Sequence, residues 1–217
     1  CPSKTCRKLV QDEVFEGLKT SKDQLTHVRW DSGLPPIRRE GTVVEGRIKA
    51  CIFADSSSID FCGSMVVQLA TELLHTYPKL DVTVLSVKSW SRHDKTDMKA
   101  AEKTWGKRLT VRRAITHADL NREFHAHDWV VLPSVRADFG LAASRALACG
   151  AAVLCHDVAP FSEIVTGWPG IMVPCEVRTN AFKAPIAVPN IGNWLTAAAK
   201  AFADTRCLFS LQTRDWQ

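Results

Sequence analysis

One tyrosine, eleven glycines and ten prolines in 217 residues leave no material for a collagen-like or low-complexity chain. Long apolar runs are lacking too. The longest are short and broken by His, Arg or Asp, so no segment is expected to span a bilayer. The opening residues, CPSKTCRKLV, lack the apolar centre of a secretory signal, and a first residue of Cys rather than Met is expected of a processed or partial product. What is present is ordinary for a folded domain. Hydrophobic residues make up 46% and charged residues 24%, which excludes disorder as the main state. The length suits one domain with an appendage.

Metal-ligand spacing is also lacking. No CxxC or Cys/His repeat occurs among the eight cysteines, so no zinc site is expected, and the HxH of His125 and His127 does not make one alone. Cys51, Cys62, Cys149, Cys155, Cys175 and Cys207 stand singly in or beside apolar segments, where a thiol acts as a small hydrophobe. Cys1 and Cys6 are the one close pair and suit a local disulfide. The scattered pattern favours a reducing compartment, intracellular or an organelle matrix. The net charge is +5, and it is not spread evenly. Residues 88–113 carry Lys88, Arg92, Lys95, Lys99, Lys103, Lys107, Arg108, Arg112 and Arg113 against Asp94, Asp97 and Glu102. An electrostatic partner is to be sought on that segment.

Along the chain, residues 1–46 show no strong core pattern. Val10, Val14 and Leu18 allow a short amphipathic helix over 8–19, and Pro35-Pro36 with a mixed charge run reads as an arm or linker. From residue 47 the pattern becomes regular. Strands are expected at 48–53, 82–87, 109–113, 129–133, 152–155 and 171–173. Helices are expected at 66–77, 95–105, 117–126, 140–149 and 191–204. Alternating apolar strands and helices predict a doubly wound α/β domain, a Rossmann-like parallel sheet, over 47–205, with a tail at 206–217. Ligands in such sheets bind beyond the C-terminal strand ends.

The stretch from Val131 to Val165 reads VLPSVRADFGLAASRALACGAAVLCHDVAPFSEIV. A strand ends in Pro133-Ser134, and Phe139-Gly140-Leu141 opens a helix that closes at Gly150, a residue suited to a left-handed cap. A second strand ends in His156-Asp157, followed by Glu163. The free N–H groups and dipole of such a helix start suit a phosphate. This segment resembles the donor-binding signature of glycosyltransferase family 4, the retaining GT-B enzymes. Pro133, Ser134, Phe139, Gly140, Leu141, Ala146, Ala148, Gly150, Val153, Asp157 and Glu163 fit its pattern. The resemblance implies the C-terminal, donor-binding half of a GT-B enzyme. It implies a nucleoside diphosphate sugar as ligand, held by Ser134, Asp138, Phe139, Gly140, Leu141, Asp157 and Glu163, with no metal or other cofactor.

The sequence also departs from that pattern. Where the family has two glutamates, this chain has Ala137 and Arg145, with Asp138 one position late. Where the family has an Arg and a Lys after the first strand, residues 54–63 read ADSSSIDFCG, with two aspartates and no cation. Neutralising a leaving diphosphate is the main electrostatic task of such a transfer, and this loop opposes it. Residues 1–46 are too few for an acceptor domain. Two readings follow: a donor domain whose acceptor domain comes from elsewhere, or a catalytically degenerate subunit of a larger assembly. Lys95, Lys99, Lys103 and Lys107 recur every four residues and, with Arg92, form either a solvated face or a surface for RNA, an anionic membrane or an acidic protein. Trp30, Trp194 and Trp216 either anchor an interface or pack the extensions on the domain. His156 reads either as an acid/base group or as a hydrogen-bonded structural residue.

Overall fold

Apolar residues run almost unbroken through the strands of this chain, and a strand buried on both faces needs helices above and below it. A computed structural model has that arrangement and describes residues 46–54, 63–86, 90–135, 140–179 and 185–203. Six strands form one sheet: β1 (Ile48–Ala54), β2 (Leu80–Ser86), β3 (Leu109–Arg113), β4 (Trp129–Leu132), β5 (Ala152–His156) and β6 (Gly170–Val173). Their order is β3-β2-β1-β4-β5-β6, and every neighbouring pair is parallel. The doubly wound sheet expected from the sequence is the fold of the protein. The six described helices are α1 (Gly63–Thr76), α2 (Arg92–Trp105), α3 (His117–Ala126), α4 (Leu141–Ala148), α5 (Phe161–Val165) and α6 (Ile191–Ala203).

The period of two along each strand sorts the core into two layers. Ala50, Ile52 and Ala54 of β1 join Val82, Val84, Val131 and Leu154 beneath α1, α2 and α6. Cys51 and Phe53 join Leu85, Val130, Leu132 and Val153 beneath α3, α4 and α5. On α1 the residues Leu69, Leu73 and Leu74 are fully buried, each contributing about 1.5–3 kcal/mol. Thr116 and Asp119 start α3 with a reciprocal capping box, and the Thr116 hydroxyl holds the Asp119 carboxyl below its usual range. Among the described residues no helix is long and apolar enough to cross a membrane.

Three features differ from expectation. A second, two-stranded antiparallel sheet pairs β7 (Glu176–Thr179) with β8 (Pro185–Val188). Trp194 lies wholly inside the core rather than at an interface, because α6 turns it toward β5 and β6. The cationic segment is partly neutralised from outside itself: Arg112 pairs with Glu123 of α3 at 3.1 Å, while Arg113 pairs within the segment with Glu102 at 3.2 Å. The expected helix at 8–19, the tail, Trp30 and Trp216 lie outside the described residues.

Arg108 has a structural task of its own. Its guanidinium donates to the carbonyls of Leu74 (2.8 Å), Tyr77 (2.6 Å) and Leu80 (3.2 Å), and it lies over the Trp105 ring. These carbonyls close α1 and open β2, where helical partners run out. A planar fork reaches all three, and an ammonium does not. Arg108→Ala should lower unfolding free energy by about 2–3 kcal/mol, with Arg108→Lys recovering less than half, as read by urea denaturation.

Candidate functional site

The switch in strand order falls between β1 and β4, so the sheet's ligand edge lies at the C-terminal ends of those strands. Pro133 is buried where β4 ends, and Ser134 follows half-buried. The Ser134 carbonyl accepts a hydrogen bond from His156 Nδ1 at 3.1 Å, and the next carbonyl, of Val135, accepts one from the Ala187 N–H of β8 at 2.7 Å. The β7–β8 pair therefore supports the loop after β4. Residues 136–139, which include Asp138 and Phe139, lie outside the described residues.

Gly140 is the N-cap of α4 and adopts a left-handed conformation, φ 64° and ψ 19°, with no side-chain cap. A Cβ there would stand 2.0 Å from Cδ1 of Ile164 on α5. The residue is thus glycine for backbone and packing reasons within the fold, and a β-branched substitute would not leave the fold undisturbed, contrary to what close ligand approach alone implies. Leu141 follows at the first helical position, 38% exposed. The opening N–H groups of α4 are the ones no helical carbonyl reaches. Glu163 stands half-buried in the first turn of α5, next to Ile164, so it shares this end of the sheet with Gly140. Asp157 is exposed just past β5, its N–H bonded to the Val173 carbonyl at 2.9 Å. The structure brings Ser134, Gly140, Leu141, Asp157 and Glu163 to one edge. The N-cap of α5 is Pro160, which offers no side-chain cap.

His156 is fully buried and spends both ring nitrogens on structure. Trp194 Nε1 can only donate, and it donates to Nε2 at 3.1 Å. Nδ1 therefore carries the proton given to the Ser134 carbonyl. The ring is neutral, and burial pushes its pKa down. Its position suits a brace between β4, β5 and α6 rather than a proton donor. Burial pushes the neighbouring Cys155 thiol up to about 12, so it stays protonated and is no nucleophile. The four described cysteines, Cys51, Cys149, Cys155 and Cys175, are free thiols. Among the described residues no group of three His, Cys, Asp or Glu is placed to hold a metal ion. Arg145 lies half-buried in the last turn of α4.

The cationic stripe occupies α2. Arg92, Lys99 and Lys103 are exposed, Lys95 is half-buried, and Lys107 is exposed in the 3-10 turn at 106–108. Met98 and Ala101 are buried beneath the same helix. The helix's three acids have partners other than its lysines: Asp94 accepts the Ser91 hydroxyl, Asp97 lies beside His93 one turn back, and Glu102 pairs with Arg113 of β3. Two features escaped the sequence: the β7–β8 support, whose first strand is wholly exposed, and Trp194 as the partner of His156. The buried Trp in an otherwise small-residue helix was the available signal for the second.

The fold and this edge define one Rossmann-like half of the GT-B architecture. The chain belongs to the glycosyl transferases group 1 family, whose model matches residues 56–187. Solved structures share the fold at low identity. The chain is similar to the C-terminal domain of the glycosyl transferase group 1 family protein LpcC from Francisella tularensis. That match has 18% identity and a TM-score of 0.60, covering 85% of this chain and 93% of that one. It is also similar to the GtfA/B complex, with 17% identity, a TM-score of 0.66 and 97% of this chain covered. A third match is sucrose-phosphate synthase from Thermosynechococcus elongatus, with 18% identity, a TM-score of 0.65 and 97% coverage. The chain spans only 39% and 50% of those two chains. Among curated proteins, none matches the sequence.

Two outcomes test this geometry. Gly140→Ala should cost about 1–2 kcal/mol of stability from the left-handed backbone, and adding Ile164→Val should restore only the steric part. The buried imidazoles set a pH dependence. Burial also pushes the pKa of His127 down, as it does for His156. A folded pKa below the unfolded one means that the unfolded chain binds more protons. The contribution to stability is complete above the ordinary imidazole pKa of about 6.5 and is lost as pH falls through it toward the folded value. Urea midpoints should fall between about pH 7.5 and about pH 5.5; a flat profile would show that the rings protonate freely inside the fold.

Proposed function

We propose that the chain binds a nucleoside diphosphate sugar, as the donor half of a retaining glycosyl transferase whose acceptor domain lies outside this sequence. The observation that carries this reading is the start of α4, which opens just past the C-terminal end of β4 with its first N–H groups at the ligand edge. Ser134 and Leu141 flank that start, with Asp138 and Phe139 just before it. Asp157 and Glu163 supply carboxylates for sugar or ribose hydroxyls. Membership of the group 1 family and likeness to the LpcC C-terminal domain support it.

A second reading has one observation in its favour. Arg145 occupies α4 where the resemblance calls for a carboxylate on the nucleotide ribose, and Ala137 replaces the other. The chain then serves as a degenerate glycosyl transferase subunit in an assembly, a role to which the GtfA/B complex lends support as a neighbour built of more than one protein.

Both readings meet one titration. Nucleoside diphosphates and their sugars, measured by calorimetry, should bind more weakly than about 1 μM, since the complementary side chains are altered. Leu141→Glu sets a carboxylate at the first turn of α4, where the helix dipole favours it and the fold tolerates it. It should weaken nucleotide binding about tenfold or more while leaving the thermal midpoint unchanged. Binding indifferent to Leu141→Glu would remove this helix from the site. No binding at all would leave the second reading.

A further inference from the structure

The opposite end of the sheet carries a second polar site. In register, Lys49 of β1 stands beside Asp81 of β2, and Thr83 of β2 beside Thr110 of β3. Parallel neighbours point to one face, so this face is polar here and apolar further along, at Cys51, Phe53 and Leu85. Lys49, Asp81, Thr83 and Thr110 form the floor of a cavity of about 450 Å3. Glu123 and His127 of α3 line it too, as does Lys107 of the 106–108 turn. A volume of this size falls within the range of small-molecule pockets, roughly 300–1000 Å3.

Its carboxylates are already engaged. Asp81 pairs with Arg47, and buried Glu123 pairs with Arg112, itself a lining residue. His127 donates from Nδ1 to the Glu123 carbonyl at 2.6 Å. Its Nε2 must therefore accept the Thr83 hydroxyl at 2.8 Å, which commits that proton inside the wall. Thr110 is left as an exposed hydroxyl donor. Arg122 at the rim is held by Asp119. Lys49 and Lys107 form no ion pair among the described residues, so theirs are the lining cations that no carboxylate holds at contact distance. The Lys49 backbone is fixed by Asp128, whose carboxylate accepts its N–H at 2.7 Å.

We infer that this cavity binds a small phosphorylated molecule, with Lys49, Lys107 and the Thr110 hydroxyl on its phosphate. The site stands at the N-terminal ends of β1–β3, whereas the donor edge stands at the C-terminal strand ends. The two are therefore separable by mutation.

Pyrophosphate is the probe, titrated into the full chain by calorimetry. Lys49→Ala with Lys107→Ala removes two exposed side chains and should weaken its binding about tenfold or more without shifting the thermal midpoint. Thr110→Asp, on an exposed residue, should do the same by charge alone. Leu141→Glu, which disables the donor edge, should leave this binding intact. With the donor edge disabled by Leu141→Glu, pyrophosphate binding that survives both cavity variants overturns the inference, as does binding that Leu141→Glu alone abolishes or no binding at all. A failure of nucleotide binding with cavity binding retained would count against the donor reading only.

Discussion

The seam between β1 and β4, where the strand order turns back, depends on Asp128. Its carboxylate accepts the Lys49 N–H at 2.7 Å, its own N–H donates to the Lys49 carbonyl at 2.8 Å, and its carbonyl accepts the Ala152 N–H at 3.0 Å. One buried residue thus pins the starts of β1, β4 and β5 in register. A charge-assisted bond to a backbone N–H is among the stronger hydrogen bonds available, and burial raises the cost of leaving it unmade. With the N-terminal ends of these strands locked together, the sheet presents its loops at the other end. There β4 and β5 deliver Ser134 and Asp157 to one edge, beside the start of α4.

That edge is braced from within by neutral groups. The Ser134 carbonyl rests on His156, His156 rests on Trp194 of α6, and the Val135 carbonyl rests on β8. Gly140 and Ile164 fix the approach of α5 to α4. None of these contacts needs a charged side chain. The loop after β4 is therefore positioned by elements that arrive late in the chain, from residue 156 onward.

Strand and helix identities were legible because each apolar run has a length and period of its own. Val66 to Leu74 repeats on a helical face, and Trp129–Leu132 is short and apolar throughout. The exposed β7 escaped because Glu176, Val177, Arg178 and Thr179 bury no face, and burial is what periodicity reports. The charge surplus at 88–113 was read from neighbours in sequence. Its compensation runs through Glu123, eleven positions beyond Arg112, and through the backbone carbonyls that Arg108 engages. Likewise Gly140 looked like a ligand-facing glycine, while the group that demands it, Ile164, lies in the next helix but for one strand. Contacts of this range are products of the fold and leave no local mark.

Geometry and electrostatics are separable at this edge, and Arg145 illustrates why. Helix α4 has eight residues and buries Ala143, Ala146, Leu147 and Ala148 against the sheet. Position 145 lies in its last turn, where the exposed carbonyl ends favour a cation by about 0.3–1 kcal/mol and disfavour an anion. The helix by itself therefore favours arginine there. A glutamate at that position works against the dipole and needs a ligand to offset it. Under the proposed donor reading, arginine at this position forgoes a ligand contact while relieving the helix, and the packing that shapes the edge is untouched. A fold of this kind can lose donor chemistry at its charged positions and still keep the architecture of its family.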